Sequence, residues 1–476
     1  MGSFREKSLE FLNNLKITVE PLMFILAACN TAVGIVTPSL SEAKMKRVYN
    51  VTGDVTDKFI NKKMVEWDNN YSYVNLPIAM IVGVMYGGIS DVHGRKIPLL
   101  IGIGSCVIEN AMRMLIWSPQ TDWPLELLFP TAAVVGLFGD FLLTMSCINA
   151  YVTDEFDDKR MLSIRMIIVS IIFSLGQYIA SKLVKLMLDH QVELIVIMGI
   201  AEGLFILTIL LGVLLLKSKK PKKAKLLVEL PDQVHESQAN LTAEEDSIPL
   251  TKIESFWQIT KLSFISIYES AKIFLVPRDG HRRLFLYLCF LANFLDQFVF
   301  GEEKGLIGTY TKLAPFKWTA VQYASYKAWR PIAQILGMTF GLVVFKMLFK
   351  FRDTLIIVFA ITSMGLCVLW IGLATASWMI YASLAPGSLH GLLNPLTYTF
   401  MSCIVEPDEI GKAFAISSIA QKLAGFAQTA VLQNIYIATV DWYQGFVWIL
   451  MSVISLSAAV IYLLVHIVAK MERIGS

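Results

Sequence analysis

Twelve stretches of about twenty apolar residues alternate with polar connections along the chain. They cover residues 19–40, 74–92, 97–117, 125–151, 162–187, 192–216, 283–301, 321–348, 354–374, 377–404, 412–437 and 442–469. A bilayer core about 30 Å thick is crossed by about 20 helical residues, so each stretch predicts one transmembrane helix. Gly and Pro are scattered through these stretches, and membrane helices tolerate both because neighbouring helices re-satisfy the backbone. Strict apolar/polar alternation is missing, which sets aside a β-barrel. The expected fold class is an all-α membrane protein of twelve transmembrane helices. Composition agrees: 476 residues, 55% hydrophobic, 17% charged and a mean hydropathy of +0.59 are too apolar for a soluble chain. A net charge of only +3 implies no nucleic-acid partner.

The longest polar connection, 217–282, falls after the sixth stretch and divides the chain into six-helix halves, 1–216 and 283–476. It opens on Lys217-Ser218-Lys219-Lys220-Pro221-Lys222-Lys223-Ala224-Lys225, a basic run directly after a span, which predicts a cytoplasmic loop against anionic headgroups. By parity both termini share that side. The connections 118–124 and 438–441 hold no Lys or Arg, as outer loops should, whereas the expected first outer loop, 41–73, carries six. That loop also holds two glycosylation sequons, at Asn50 and Asn70; a third, at Asn240, falls in the central loop and is expected to stay unused. Later in the central loop, apolar residues recur every three or four positions from Phe256 to Phe274, predicting an amphipathic helix on the bilayer surface. The first span is too long for a cleaved signal, and Glu6 breaks the myristoylation pattern begun by Met1-Gly2.

The shortest connection concentrates the most chemistry. Gly87-Gly88-Ile89-Ser90-Asp91-Val92-His93-Gly94-Arg95-Lys96 packs charges and glycines between two apolar runs. Its G-x-x-x-D-x-x-G-R-K spacing resembles the loop between helices two and three of the major facilitator superfamily. In that resemblance Gly87 and Gly94 permit close backbone approach, while Asp91, Arg95 and Lys96 form a cytoplasmic gate through charge-assisted contacts. The plainer reading is that Arg95 and Lys96 only set topology. Two further turns echo one another across the halves, 152–160 and 405–412, each acidic and closing on a basic residue. Such a repeat suits two domains rocking about a midplane site.

Charges inside spans are costly and call for a pairing, a wet cavity or a task. Asp140 stands mid-span with no basic residue within a turn, and is the first candidate for proton binding. Glu109 and Arg113, four apart, are expected to neutralise each other as a structural pair. Glu202 and Asp296 are isolated acids, and Arg330 and Lys422 are the cations of the second half, available to an anionic substrate or to Asp296. His390 either titrates or is a hydrogen-bonded spectator. These residues, Asp140, Asp296, Arg330, Lys422, Glu202 and His390, make up the expected substrate and proton pathway. No phosphate-binding loop, metal spacing or catalytic triad is present, so no cofactor and no enzyme activity are expected. All six cysteines fall within predicted spans, which leaves none for an outer-loop disulfide.

Several segments together resemble the proton-coupled folate transporter family, solute carrier family 46: Val19-Glu20-Pro21, Ser90 to Lys96, Gly139-Asp140, Arg165-Met166, and the stretch from Asn434 to Phe446. The last is most similar to the lysosomal branch. The resemblance implies proton-driven symport of organic anions such as folates, or of peptidoglycan fragments and lysosomal catabolites, at a plasma or lysosomal membrane. It assigns gating or transport roles to Asp91, Arg95 and Asp140. Departures accompany it: Ser170 stands where the family has a coupling Glu, Val299 for a His, Tyr398 for an Arg, and Lys317 for an outer-loop Cys. A non-transporting receptor or scaffold, a uniporter and a sodium-coupled carrier are therefore the competing expectations.

Overall fold

A computed structural model describes residues 19–51, 58–155, 159–216, 261, 265, 268, 271–278, 280–406 and 410–472. All regular structure among them is helical: α1 (Glu20–Val48), α2 (Lys58–His93), α3 (Lys96–Trp117), α4 (Leu128–Leu137), α5 (Asp140–Glu155), α6 (Lys159–Asp189) and α7 (Leu194–Leu215) precede the central loop. After it come α8 (Arg282–Tyr310), α9 (Ala320–Gly341), α10 (Asp353–Gly372), α11 (Ser377–Ala382), α12 (Leu393–Ile404), α13 (Ile410–Gln428), α14 (Asn434–Thr439) and α15 (Phe446–Met471). Helix occupies each of the twelve apolar stretches. Among the described residues eight helices are long and apolar enough to cross a membrane without interruption. The other stretches are broken or carry polar extensions.

Each break has a local cause. Gly139 and Asp140 both adopt positive φ, +87° and +58°, so the fourth stretch is split into α4 and α5. Asp140 is thus the first residue of a new helix and not a mid-helix residue as expected; its Oδ1 accepts the Phe141 amide at 2.5 Å. The tenth stretch is split by a 3₁₀ segment, Pro386–Leu392, and α9 and α13 each run into a π-helical turn, at Leu342–Leu348 and Thr429–Gln433. Thr319 starts α9 with a capping box, its hydroxyl accepting from Gln322 N–H and Gln322 Oε1 accepting from the Thr319 amide.

One large correction concerns the expected outer loop 41–73. α1 continues to Val48 and α2 begins at Lys58, so most of that segment is helix. Several of the lysines that suggest a loop are ion-paired, Lys44 with Asp122 while fully buried, Lys62 with Asp441 and Lys63 with Glu66, and Ile60, Met64, Val65 and Tyr71 are buried. Asn70 therefore sits within α2, half-buried, and not in a loop; Asn50 is exposed in the turn after α1. The expected surface helix at 256–274 and the basic run 217–225 lie outside the described residues, apart from isolated positions and the 3₁₀ turn Lys272–Phe274.

Helices pack closely where side chains are absent. A Cβ on Gly176 of α6 would lie 2.6 Å from the Phe24 carbonyl oxygen of α1. α6 then lies against both α1 and α9, joining helices from either side of the central loop. The largest core, with Trp448, Tyr310, Tyr326 and Tyr436 fully buried, gathers residues from both sides of that loop. Two smaller cores each belong to one side: Phe285, Phe400 and Tyr462 after the loop, and Leu22, Leu26 and Phe205 before it.

Candidate functional site

A cavity of about 370 Å³ opens between the helices that precede the central loop and those that follow it. Asn30 and Thr37 of α1, Asp68 and Tyr71 of α2, and Glu109, Asn110 and Arg113 of α3 line one side. Leu306 and Thr309 of α8, Tyr323 and Lys327 of α9, and Gln433 line the other. Its volume falls in the range of small-molecule sites, roughly 300–1,000 Å³, and its lining combines aromatic rings with many polar and charged side chains, as a site for a polar solute would.

Glu109 and Arg113 do pair, at 2.8 Å, as their spacing predicts. The Arg113 guanidinium also stacks over Tyr71 and Trp117, its carbon 4.6 and 5.1 Å from the ring centroids. Both residues line the cavity, so the pair faces the solute space as well as bracing α3. Glu202 reaches the cavity indirectly: its Oε2 accepts from Nδ2 of Asn110 at 2.8 Å. Asp140 does not line the cavity but lies within electrostatic reach of Glu109 and Arg113. Asp68, Glu109 and Asp140 are thus three acids within electrostatic reach of one guanidinium.

The second half arranges its charges differently from expectation. Arg330 pairs with Glu303, not Asp296: Nη1 donates to Oε1 at 2.7 Å and Nη2 to Oε2. Asp296 is fully buried and its Oδ2 lies 2.9 Å from His390 Nε2, with the Phe300 ring 4.3 Å from the imidazole. His390 sits in the 3₁₀ segment rather than mid-helix. Arg330, Asp296, His390 and Lys422 are all absent from the cavity lining. Lys422 of α13 instead points at α2, its Nζ 3.3 Å from where a Cβ on Gly83 would be.

At the gate, Gly94 takes φ +101° and its amide donates to the Ser90 carbonyl at 3.1 Å, turning the chain from α2 into α3. Arg95 Nη1 donates to Ser90 Oγ at 2.9 Å and Lys96 Nζ to the Val213 carbonyl at 2.7 Å. The Asp91 side chain lies outside the described residues. Gly87 does not mark a close approach, since no described atom lies within 4 Å of a Cβ built there.

The face opposite the central loop is closed by contacts between the two groups of helices. Asn61 donates to the Thr309 carbonyl at 2.8 Å and accepts from Tyr436 at 2.7 Å; Asn69 donates to Asn434 at 3.1 Å. Lys62 pairs with Asp441, and Lys312 reaches Ser39 Oγ at 2.7 Å and Glu42 at 3.2 Å. Burial pushes the Lys312 ammonium below its ordinary value, with Glu42 opposing that shift.

Sequence reading passed over Asp68, Tyr71, Lys327 and Glu303. Asp68 and Tyr71 fall in the expected loop 41–73, although the helical spacing of Ile60, Met64, Tyr71 and Asn75, all buried, carries the signal. Glu303 lies beyond the expected end of its span at 301, but α8 continues to Tyr310. Lys327 shares one helix face with Tyr323 and Arg330, at i, i+4 and i+7.

Residues 22–429 match the model of the Major Facilitator Superfamily. Among curated proteins, the chain is 22% identical over 456 residues to the lysosomal proton-coupled steroid conjugate and bile acid symporter SLC46A3 of Gallus gallus, covering 91% of this chain and 90% of that one. Similarity to the probable peptidoglycan muropeptide transporter SLC46 of Drosophila melanogaster is 25% over 172 residues, 36% of this chain and 33% of that one. Among solved structures, a peptide transporter POT in complex with sulfate superimposes with a TM-score of 0.57 at 14% identity, covering 93% and 94% of the two chains. The human organic anion transporter MFSD10 gives a TM-score of 0.58 at 14% identity, covering 93% and 98%. These likenesses show the fold.

Proposed function

The chain belongs to the Major Facilitator Superfamily, and from that premise we propose that this secondary transporter is a proton-coupled symporter of an organic solute bearing an anionic group. Folate-like molecules, peptidoglycan fragments and lysosomal catabolites are the solute classes that fit this reading. The observation that carries the reading is the cavity between the two groups of helices, with Glu109 and Arg113 on one wall and Lys327 on the other. The solute sits there while the halves, 1–216 and 283–476, rock about it, the central loop 217–282 joining them on the cytoplasmic side. Closure of the opposite face by the Asn61, Lys62 and Lys312 contacts corresponds to one end state of that cycle.

Proton coupling falls to the acids around Arg113. Asp140 takes the proton at the α4/α5 break, where its backbone strain couples side-chain charge to helix geometry. Ser170, Val299 and Tyr398 carry no group able to replace the family's coupling residues, which concentrates the task on Asp140 and Glu109. Asp91, Arg95 and Lys96 close the cytoplasmic side, and Asn50 is the glycosylation acceptor. The names of the similar proteins support proton coupling and a lysosomal membrane.

The same three departures favour a second reading, a receptor that binds solute without net transport. Uptake of radiolabelled folate and of muramyl dipeptide by cells displaying the protein at the surface, compared at about pH 5.5 and about pH 7.4, separates the two. Acid-stimulated uptake of either supports symport. Equal uptake at both values removes proton coupling, and binding without uptake establishes the receptor.

A further inference from the structure

The charges lining the cavity do not cancel locally. Glu109 and Arg113 neutralise each other at 2.8 Å, and Arg330, beside Lys327, is neutralised by Glu303. Two charges are left over. Asp68 of α2 and Lys327 of α9 both line the cavity, and among the described residues neither has a hydrogen bond or ion pair. Lys327 lies over the face of the Tyr323 ring, its Nζ 5.3 Å from the centroid, within electrostatic reach of Arg330 and Glu303, which are already paired with each other. One charge stands on each side of the interface between the helices before and after the central loop.

Asp68 and Lys327 are both open to the cavity, so a solute that displaces water from them must bring groups of opposite sign or leave a charge desolvated. A purely anionic solute would satisfy Lys327 and leave Asp68 bare. A purely cationic one would do the reverse. We propose that the solute is dipolar, carrying an ammonium group that meets Asp68 and a carboxylate that meets Lys327, on an apolar or aromatic frame that packs against Tyr71 and Tyr323. This rests on the symporter reading and narrows its substrate class to amino-bearing acids such as short peptides and peptide-bearing wall fragments. A dipolar solute also explains how binding joins the two walls: each end fastens to a different half, so occupancy favours the state in which the halves approach.

The competing account is that Asp68 is satisfied by a proton and the solute is an anion only. Equilibrium binding to the full-length detergent-purified protein separates the accounts without requiring transport. The probes are phenylalanyl-phenylalanine, its N-acetylated form and its C-terminal amide, each at acid and neutral pH. The expected result is that the free dipeptide binds at least tenfold more tightly than either blocked form. Asp68→Asn should then abolish the preference over the N-acetylated form alone, and Lys327→Gln the preference over the amide alone. Equal binding of the free and N-acetylated peptides, strengthening with acidity, overturns the proposal in favour of a proton on Asp68. Binding of none of the three also overturns it. Because binding is read apart from uptake, tight dipeptide binding without acid-driven uptake would fault the symporter reading and leave the dipolar site intact. Retained binding of whichever form each variant does not discriminate shows that the variant is folded.

Discussion

Arg330 holds Glu303 through both terminal guanidinium nitrogens across the α8–α9 interface, and Glu303 is only 1% exposed. Breaking a buried pair strands a charge at a cost of about 3–5 kcal/mol, whereas replacing both members by apolar residues is often close to neutral. Arg330→Met and Glu303→Gln are each expected to lower the thermal midpoint in detergent and the amount of protein reaching the membrane. The double variant Glu303→Leu with Arg330→Met should recover most of that loss. Single variants as stable as the parent would show that the pair does not brace the interface.

The α4/α5 break separates architecture from chemistry. Gly139→Ala places a side chain at φ +87° and within 2.5 Å of Leu143, so a loss of about 1–3 kcal/mol in stability is expected. Asp140→Asn keeps the shape and removes the titrating group; it should impair acid-driven uptake while leaving folded protein in the membrane. Normal uptake by that variant removes Asp140 from the mechanism.

Contacts on the face opposite the central loop hold the cavity shut there. Lys312→Met removes the links to Ser39 and Glu42, and Tyr436→Phe removes the bond to Asn61. Since about 1.4 kcal/mol shifts a two-state population tenfold, the pair of changes should raise the population open on that face severalfold. Labelling of a Thr309→Cys reporter by a membrane-impermeant thiol reagent reads this directly. Five of the six native cysteines are buried, which keeps background low. A labelling rate indifferent to both changes would mean the face is closed by other contacts.

Acid should loosen one outer contact in a defined window. The hydrogen bond from Lys44 Nζ, 2.7 Å from Asp122, together with Arg47, holds the Asp122 carboxyl below its ordinary value. A lowered folded-state value means its stabilisation is in place above the ordinary carboxylate range, about pH 4, and is lost as pH falls through the lowered value. Asp122 is half exposed, so the effect is small. The thermal midpoints of the parent and Asp122→Asn should differ at neutral pH, keep that difference at about pH 5 and converge only in acid below the lowered value. A difference that persists in strong acid would assign it to something other than this charge.

The periodicity and apolarity of the chain were enough to determine its class. Each apolar stretch became helix because a backbone in hydrocarbon has no water to bond and must satisfy itself within the segment. Pairs lying on one helix were legible too: Glu109 and Arg113 meet because four residues make about one turn. The short connection between the second and third stretches was legible as well, and the structure turns there at Gly94, whose positive φ favours glycine. Helix ends were harder, because 58–73 and 302–310 read as loop by their charges, yet both are helix, with Lys62, Lys63 and Glu303 ion-paired and Asp68 facing the cavity.

Tertiary structure alone decided which charges face one another. Glu303 with Arg330, Asp296 with His390, Glu202 with Asn110, and Asp68 across the cavity from Lys327 are each separated by 27 to 259 residues and lie on different helices. Periodicity specifies the face on which a side chain stands, but the residue opposite it depends on the rotation, tilt and depth of a second helix. Those are set by packing at positions such as Gly176 against Phe24, where a contact between backbones hundreds of atoms apart along the chain fixes the spacing of the bundle.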